Sequence, residues 1–190
     1  MPGIVGILLA AGRGRRFDPL GQRNKLLQPV DGGEAVVAAS ARHLLAALPH
    51  VVAVVRPDDD AVAAQLAALG CNVTVCGAAD SGMAASLVHG LRQAPDAQGW
   101  LVALGDMPRV RPATIAALAL AVEQGADIAV PVYQEQRGNP VAFGRRHLPQ
   151  LLALTGDQGA RGIVRNQTVN EVAVDDPGIL LDVDTPLDLQ

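Results

Sequence analysis

Residues 3–16 read GIVGILLAAGRGRR, and this stretch decides the fold. The run Gly3–Leu9 is almost continuously apolar, the pattern of a strand buried on both faces. It ends in Gly12-Arg13-Gly14. A glycine turn after the first strand of an open parallel sheet lets backbone N–H groups approach phosphate oxygens with no Cβ in the way. Two familiar loop templates fail here. The dinucleotide fingerprint needs a glycine where Phe17 stands, and the P-loop needs Ser or Thr where Leu26 follows Lys25. What remains is Gly-x-Gly with Arg13, Arg15, Arg16, Arg23 and Lys25, a positive cluster suited to a polyphosphate and equally readable as a plain turn. Of the 15 basic residues only Lys25 is a lysine. In a chain that otherwise uses arginine, a compact ammonium in this loop points to a phosphate.

Outward from this segment, short apolar runs alternate with Ala/Leu-rich helical windows. Strands are expected at Val51–Val55, Asn72–Val75 and Trp100–Leu104. Helices are expected at Glu34–Leu48, Asp58–Leu69, Met83–Arg92 and Pro112–Glu123, with Ser81-Gly82 as a cap for the third. This alternation implies right-handed crossovers and a largely parallel sheet covered on both faces. After Gly125 the pattern changes. Asp127–Val132 and Val141–Phe143 read as strands of a hairpin around the polar loop Tyr133–Pro140, followed by two short helical pieces and strands at Val169–Val174 and Ile179–Val183. The fold class is α/β: three layers, Rossmann-like, mostly parallel, with one antiparallel strand or hairpin in the C-terminal third. Residues 1–190 read as one domain.

The 190 residues are 49% hydrophobic and 18% charged, which excludes disorder, and with 2 Phe, 1 Trp and 1 Tyr a purely β fold is disfavoured. A net charge of −4 argues against nucleic-acid binding through a basic face. Apolar residues precede the first arginines, the reverse of a secretory signal, and no apolar run is long enough to span a membrane. Cys71 and Cys76 read as core thiols, and the cytoplasm is the expected location.

Four further segments carry chemistry. In LGDMP, Asp106 emerges at a strand end, where it would bind a hard cation or cap a turn. In LDVDTP, Asp182 and Asp184 share a face if this is a strand end, and either would complete a Mg²⁺ site with Asp106; Thr185 would cap a terminal helix. In GAADSGMAAS, Gly77, Ser81, Gly82 and Ser86 surround a helix N-terminus that offers donors to a base or phosphate and reads equally as a capped helix with a core Met. RGNPV with Asn139, and TGDQGAR with Asp157 and Arg161, read first as ordinary polar loops; Arg161 would be placed to meet a second phosphate. The four histidines lack metal-ligand spacing. No Ser-His-Asp arrangement is legible.

Taken in order, LLAAGRGRRF…K, DSGMAASL, LGDMP, RGNPVAF, TGDQGAR and GILLDVDTPLDL resemble the molybdenum cofactor cytidylyltransferases. These belong to the molybdopterin nucleotidyltransferase group, with a glycosyltransferase-A-like fold of the nucleotide-diphospho-sugar transferase type. The first and third motifs occur in many NTP transferases; GNP, TGDxGAR and DxDTP point to the narrower family. The resemblance implies Mg²⁺-dependent transfer of CMP from CTP to molybdenum-molybdopterin, giving molybdopterin cytosine dinucleotide and pyrophosphate. It implies that Leu9, Ala10, Ala11, Gly12, Arg13 and Gly14 line the nucleotide, with Gly77, Ser81, Gly82 and Ser86 towards base and ribose. Lys25, Arg16 and Asp106 would be catalytic, Asp106 and Asp184 would hold Mg²⁺, and Asn139, Asp157 and Arg161 would face the acceptor. A molybdenum hydroxylase is a possible recipient of the product. Rival readings are a GTP-using guanylyltransferase, a sugar-phosphate nucleotidyltransferase, and a chaperone for the finished cofactor. One departure stands out: FDPLGQRN separates Arg16 from Lys25 where the family has only a few residues, which leaves open how Lys25 reaches the phosphates; a flexible lid could still deliver it.

Overall fold

The computed structural model describes residues 3–189. In chain order it contains β1 (Ile4–Ala10), β2 (Pro29–Val30), β3 (Glu34–Ala35), α1 (Val36–Ala47), β4 (Val51–Val55), α2 (Asp60–Ala68), β5 (Asn72–Val75), α3 (Met83–Leu91) and β6 (Gly99–Leu104). There follow α4 (Pro112–Glu123), β7 (Ile128–Tyr133), β8 (Gln136–Arg137), β9 (Val141–Gly144), α5 (Leu148–Leu152), α6 (Arg161–Asn166) and β10 (Asn170–Ala173).

The main sheet has the order β10-β7-β9-β6-β1-β4-β5, with β8 paired to β7. β1 lies between β4 and β6, parallel to both. Its side chains alternate between two cores. Ile4, Leu8 and Ala10 pack with residues of α1, α2 and α4, whereas Val5 and Ile7 pack with α3 and α5. A strand buried on both sides is therefore the middle of a three-layer sandwich, and each large aliphatic side chain in it contributes about 1.5–3 kcal/mol.

The antiparallel feature lies where the composition changes. Val132 pairs with Arg137 and Tyr133 with Gln136 around Gln134 and Glu135, both at positive φ. Such a two-residue turn suits the strand twist and cannot make a parallel crossover, which needs a dozen or more residues. β9 consequently runs antiparallel between β6 and β7.

Several boundaries differ from the sequence expectation. Glu34–Ala35 is a strand paired with Pro29–Val30, so α1 begins at Val36. Ser81 does not cap α3: its hydroxyl donates to Ala78 O at 2.7 Å within its own turn, and Gly82 occupies the cap position. Asp59 does not cap α2 through its side chain, because Asn24 Nδ2 donates to both carboxylate oxygens at 2.9 and 3.1 Å. Ile179–Val183 is not a strand. Residues Pro177–Leu180 form a 3₁₀ turn, in which the carbonyl of Ile179 accepts from Asn139 N at 3.0 Å. Thr185 caps no α-helix either; its N–H and hydroxyl donate to Asp188 over a 3₁₀ turn.

Burial pushes the Cys71 thiol up to about 11, as expected of a core thiol. Among the described residues no helix is long and apolar enough to cross a membrane.

The C-terminal segment is anchored by Asp176, which is 1% exposed. Its carboxylate accepts from Arg111 N (2.8 Å), Thr114 Oγ1 (2.6 Å) and Gly178 N (3.0 Å). Asp176→Ala leaves these donors without a partner and is expected to lower the unfolding free energy by about 2–4 kcal/mol in chemical denaturation. A loss below about 0.5 kcal/mol would show that the segment is held by other contacts.

Candidate nucleotide site

The C-terminal ends of β1 and β6 set the site's position. Gly105 N donates to Leu9 O at 2.9 Å, joining the turn after β6 to the end of β1. Ser40 Oγ, buried on α1, donates to Gly105 O at 3.0 Å. Val183 N donates to Asp106 O at 2.8 Å, bringing the C-terminal segment beside the same turn. Three separate parts of the chain thus fix the Asp106 backbone.

Lys25 reaches this point from the glycine loop. Gly14 adopts φ +59°, and a Cβ there would lie 3.2 Å from Lys25 Cγ, so the glycine leaves room for the lysine stem. The lysine is 8% exposed. Its Nζ lies 2.6 Å from Asp106 Oδ2, 3.0 Å from Val183 O and 3.6 Å from Asp184 Oδ1. Arg16 approaches Asp184 from the solvent side, with Nη1 2.7 Å from Oδ2.

The loop between Arg16 and Lys25 is internally bonded. Phe17 is buried, Arg23 stacks over its ring at 5.5 Å, and Asp18 accepts from Leu20 N at 3.1 Å and Arg23 N at 2.7 Å. These backbone bonds hold the Asp18 carboxyl below its ordinary range. Asn24 then caps the turn Lys25–Leu27 by accepting from Leu26 N. The long loop is a folded unit that presents Lys25.

Asp106, Asp182 and Asp184 each offer an oxygen, all within 4.8 Å of one another. Burial, then the neighbouring Asp184 charge, pushes the Asp182 carboxyl above its ordinary value. The second oxygen of Asp106, Oδ1, is buried without a hydrogen-bond partner. An orphaned carboxylate oxygen beside two more acids has the hard-oxygen chemistry of a divalent cation site, and the residues fit such an ion.

A cleft of about 600 Å³ opens beside these groups. It is lined by Leu9, Ala10, Ala11, Gly12, Arg13, Gly14, Lys25, Gly82, Ser86 and Asp106, all expected from the sequence. The N–H groups of Gly12, Arg13 and Gly14 have no partner among the described residues, so they are available to an anion. Arg13 forms a two-pronged pair with Asp80, which tethers the loop to the wall opposite and holds the Asp80 carboxyl below its ordinary range.

A model of the MobA-like NTP transferase domain matches residues 6–172. The chain belongs to this family. Purine catabolism protein PucB of Bacillus subtilis is 31% identical over alignments covering 97% of this chain and 93% of that one. Nicotine blue oxidoreductase of Paenarthrobacter nicotinovorans is 30% identical, with 97% and 94% covered. Rv0371c from Mycobacterium tuberculosis superposes with a TM-score of 0.82 at 33% identity, over 97% of this chain and 94% of that chain, and a complex of Rv0371c with manganese has also been solved. This MobA-like NTP transferase is a nucleotidyltransferase, and its α/β architecture is that of its solved relatives.

Not every expected residue joins the cleft of this NTP transferase. Gly77 and Ser81 lie outside it, Ser81 being engaged in its own turn. Asp157 lines this first cleft and not the second, because the carbonyl of Gly156 accepts from Ala84 N at 3.1 Å and docks the loop on the start of α3. Asn139 and Arg161 line a second cleft of about 420 Å³, which shares Leu9, Met83 and Leu104 with the first. Sequence reasoning missed Asp80 and Met83 as wall residues, and Arg165 altogether. The signal for Arg165 was its spacing of four from Arg161, which puts both on one face of α6.

Gly82 makes the loop contact possible. It has φ +122°, and a Cβ there would sit 2.5 Å from Gly156 O and 2.6 Å from Asp157 Oδ1. Gly82→Ala is expected to cost about 1–3 kcal/mol of stability and to speed hydrogen exchange at the Ala84 N–H. Unchanged exchange at Ala84 would show that the 156–157 loop is not clamped there.

Proposed function

We propose that this nucleotidyltransferase moves CMP from CTP to the terminal phosphate of molybdenum-molybdopterin, giving molybdopterin cytosine dinucleotide and pyrophosphate with Mg²⁺ as its metal. The observation that carries this reading is the orphaned Asp106 Oδ1, grouped with Asp182 and Asp184 at the edge of the glycine-floored cleft. The choice of cytosine and of the molybdenum-bearing acceptor rests on the sequence resemblance. It is supported by the second cleft, where Arg161 and Arg165 make no ion pair among the described residues and stand beside an apolar floor of Val102, Val130 and Phe143.

Asp106, Asp182 and Asp184 would hold the cation, which supplies charge neutralisation for phosphate oxygens when bound. The N–H groups of Gly12 to Gly14 orient the phosphate chain, and Lys25 places an ammonium at the same end of the cleft. Arg15, without a hydrogen bond or ion pair among the described residues, adds a further positive group on the cleft wall. Ser86 and the Gly82 turn face the nucleoside. An acceptor phosphate is already anionic at neutral pH, so no side chain need act as general base. The chain contributes positioning and electrostatics.

The test is pyrophosphate release with CTP, GTP and ATP, each with and without the molybdenum cofactor. Release with CTP that depends on cofactor and divalent cation is expected. GTP preference would make the protein a guanylyltransferase, turnover with a sugar phosphate would change the acceptor, and tight cofactor binding with no release would make it a carrier. Asp106→Asn should abolish metal-dependent turnover, and Lys25→Ala should lower it by about 10²–10³-fold, as for a preorganised electrostatic group. Parent turnover in Lys25→Ala would remove the lysine from catalysis.

A further inference from the structure

Lys25 holds one oxygen of a carboxylate whose other oxygen is left for a metal. Three carboxylates within 4.8 Å of one another repel strongly where water is partly excluded. The structure relieves this repulsion with its own cations. The ammonium donates to Asp106 at 2.6 Å and to Val183 O at 3.0 Å, and pairs with Asp184 at 3.6 Å, beyond hydrogen-bond reach. Its side chain is 10% exposed, so the charge is held and not merely passing. Arg16 neutralises the other oxygen of Asp184 from outside, with 80% of its own side chain exposed. The buried cation is the lysine, and the exposed one is the arginine.

A divalent ion on these acids would take Asp106 Oδ1, the free oxygen of the carboxylate whose Oδ2 holds Lys25, together with Asp182 or Asp184. The metal and the ammonium would then share one carboxylate at short range, and their repulsion favours withdrawal of the ammonium, whose buried charge needs another anion. The cleft supplies a place for one, since Lys25 and the free N–H groups of Gly12 to Gly14 line it together. We propose that Lys25 is a resident counter-ion which keeps the acid cluster closed to divalent cations until a nucleotide polyphosphate draws it away. Metal and nucleotide then bind cooperatively, each raising the other's affinity by the same factor. This rests on the reading of the acids as the metal site.

The chain has a single lysine, which makes the test direct. Mn²⁺ is titrated into the parent protein, Lys25→Met, Lys25→Gln and Asp106→Asn, with and without CTP. Both lysine variants should bind Mn²⁺ without nucleotide at least about tenfold more tightly than the parent, the scale of one close charge removed at near-aqueous dielectric. CTP should raise the parent's affinity more than theirs. In the parent labelled with lysine carrying ¹³C at Cε, the one resonance should move on adding Mg²⁺ with CTP, by more than with Mg²⁺ alone at the same concentration. Lysine variants that bind Mn²⁺ no better than the parent, or a resonance that Mg²⁺ with CTP leaves in place, would overturn the proposal. Asp106→Asn binding Mn²⁺ as well as the parent would overturn it too, and would remove the acid cluster from the functional reading as well; failure in the lysine arms alone leaves that reading standing.

Discussion

The contact between the Lys25 ammonium and the carboxylates of Asp106 and Asp184 is the constraint on which the rest of the site depends. It ties together three segments far apart in sequence: the loop after β1, the turn after β6, and the C-terminal segment that reaches Asp106 through Val183. Each arrives there for a separate reason. β1 ends at the sheet rim because its neighbours share its register, Gly105 is held by Leu9 and Ser40, and the C-terminal segment is anchored by the buried Asp176. A mostly buried ammonium among acids is costly without such anchoring, since its attraction must offset the loss of water from every charge involved.

Much of this was legible in the sequence, and what was not has physical causes. A near-continuous apolar run followed by Gly-x-Gly is enough to place a central strand and its rim loop, because burial on both faces leaves no room for alternation. Asp106 was legible as an acid at a strand end. The antiparallel pairing of β7 with β9 was legible as two apolar runs around a polar loop, whereas β8, read as part of that loop, pairs with the end of β7. The segment Ile179–Val183 was misread as a strand because its apolar pattern suits one, whereas its start is turned by bonds to the neighbouring Asp176 and by a bond from Asn139, distant in sequence. The side on which Asp157 falls depends on Gly156 docking against α3, and no local pattern records that. The folded character of the Phe17–Asn24 loop comes from Asp18 serving as acceptor for its own loop, a choice that residue type alone does not reveal.

Two adjoining clefts with different chemistry give the molecule the layout of a two-substrate transferase. The first is floored by backbone N–H groups and acids, the second by apolar side chains with guanidinium groups on its rim. They meet at Leu9, Met83 and Leu104, so ligands held in both would approach one another across that wall. The family's architecture is not tied to one partner reaction, since a relative 30% identical bears the name of an oxidoreductase. Specificity must therefore be argued from the clefts and not from the sheet.

If the acids and the glycine loop serve one metal-bound nucleotide, anomalous diffraction from crystals of the protein with Mn²⁺ and CTP will show it. The expected result is a manganese peak bonded to Asp106 together with Asp182 or Asp184, with the triphosphate against the N–H groups of Gly12 to Gly14. Manganese bound away from these acids, or a triphosphate seated elsewhere on the molecule, would contradict it.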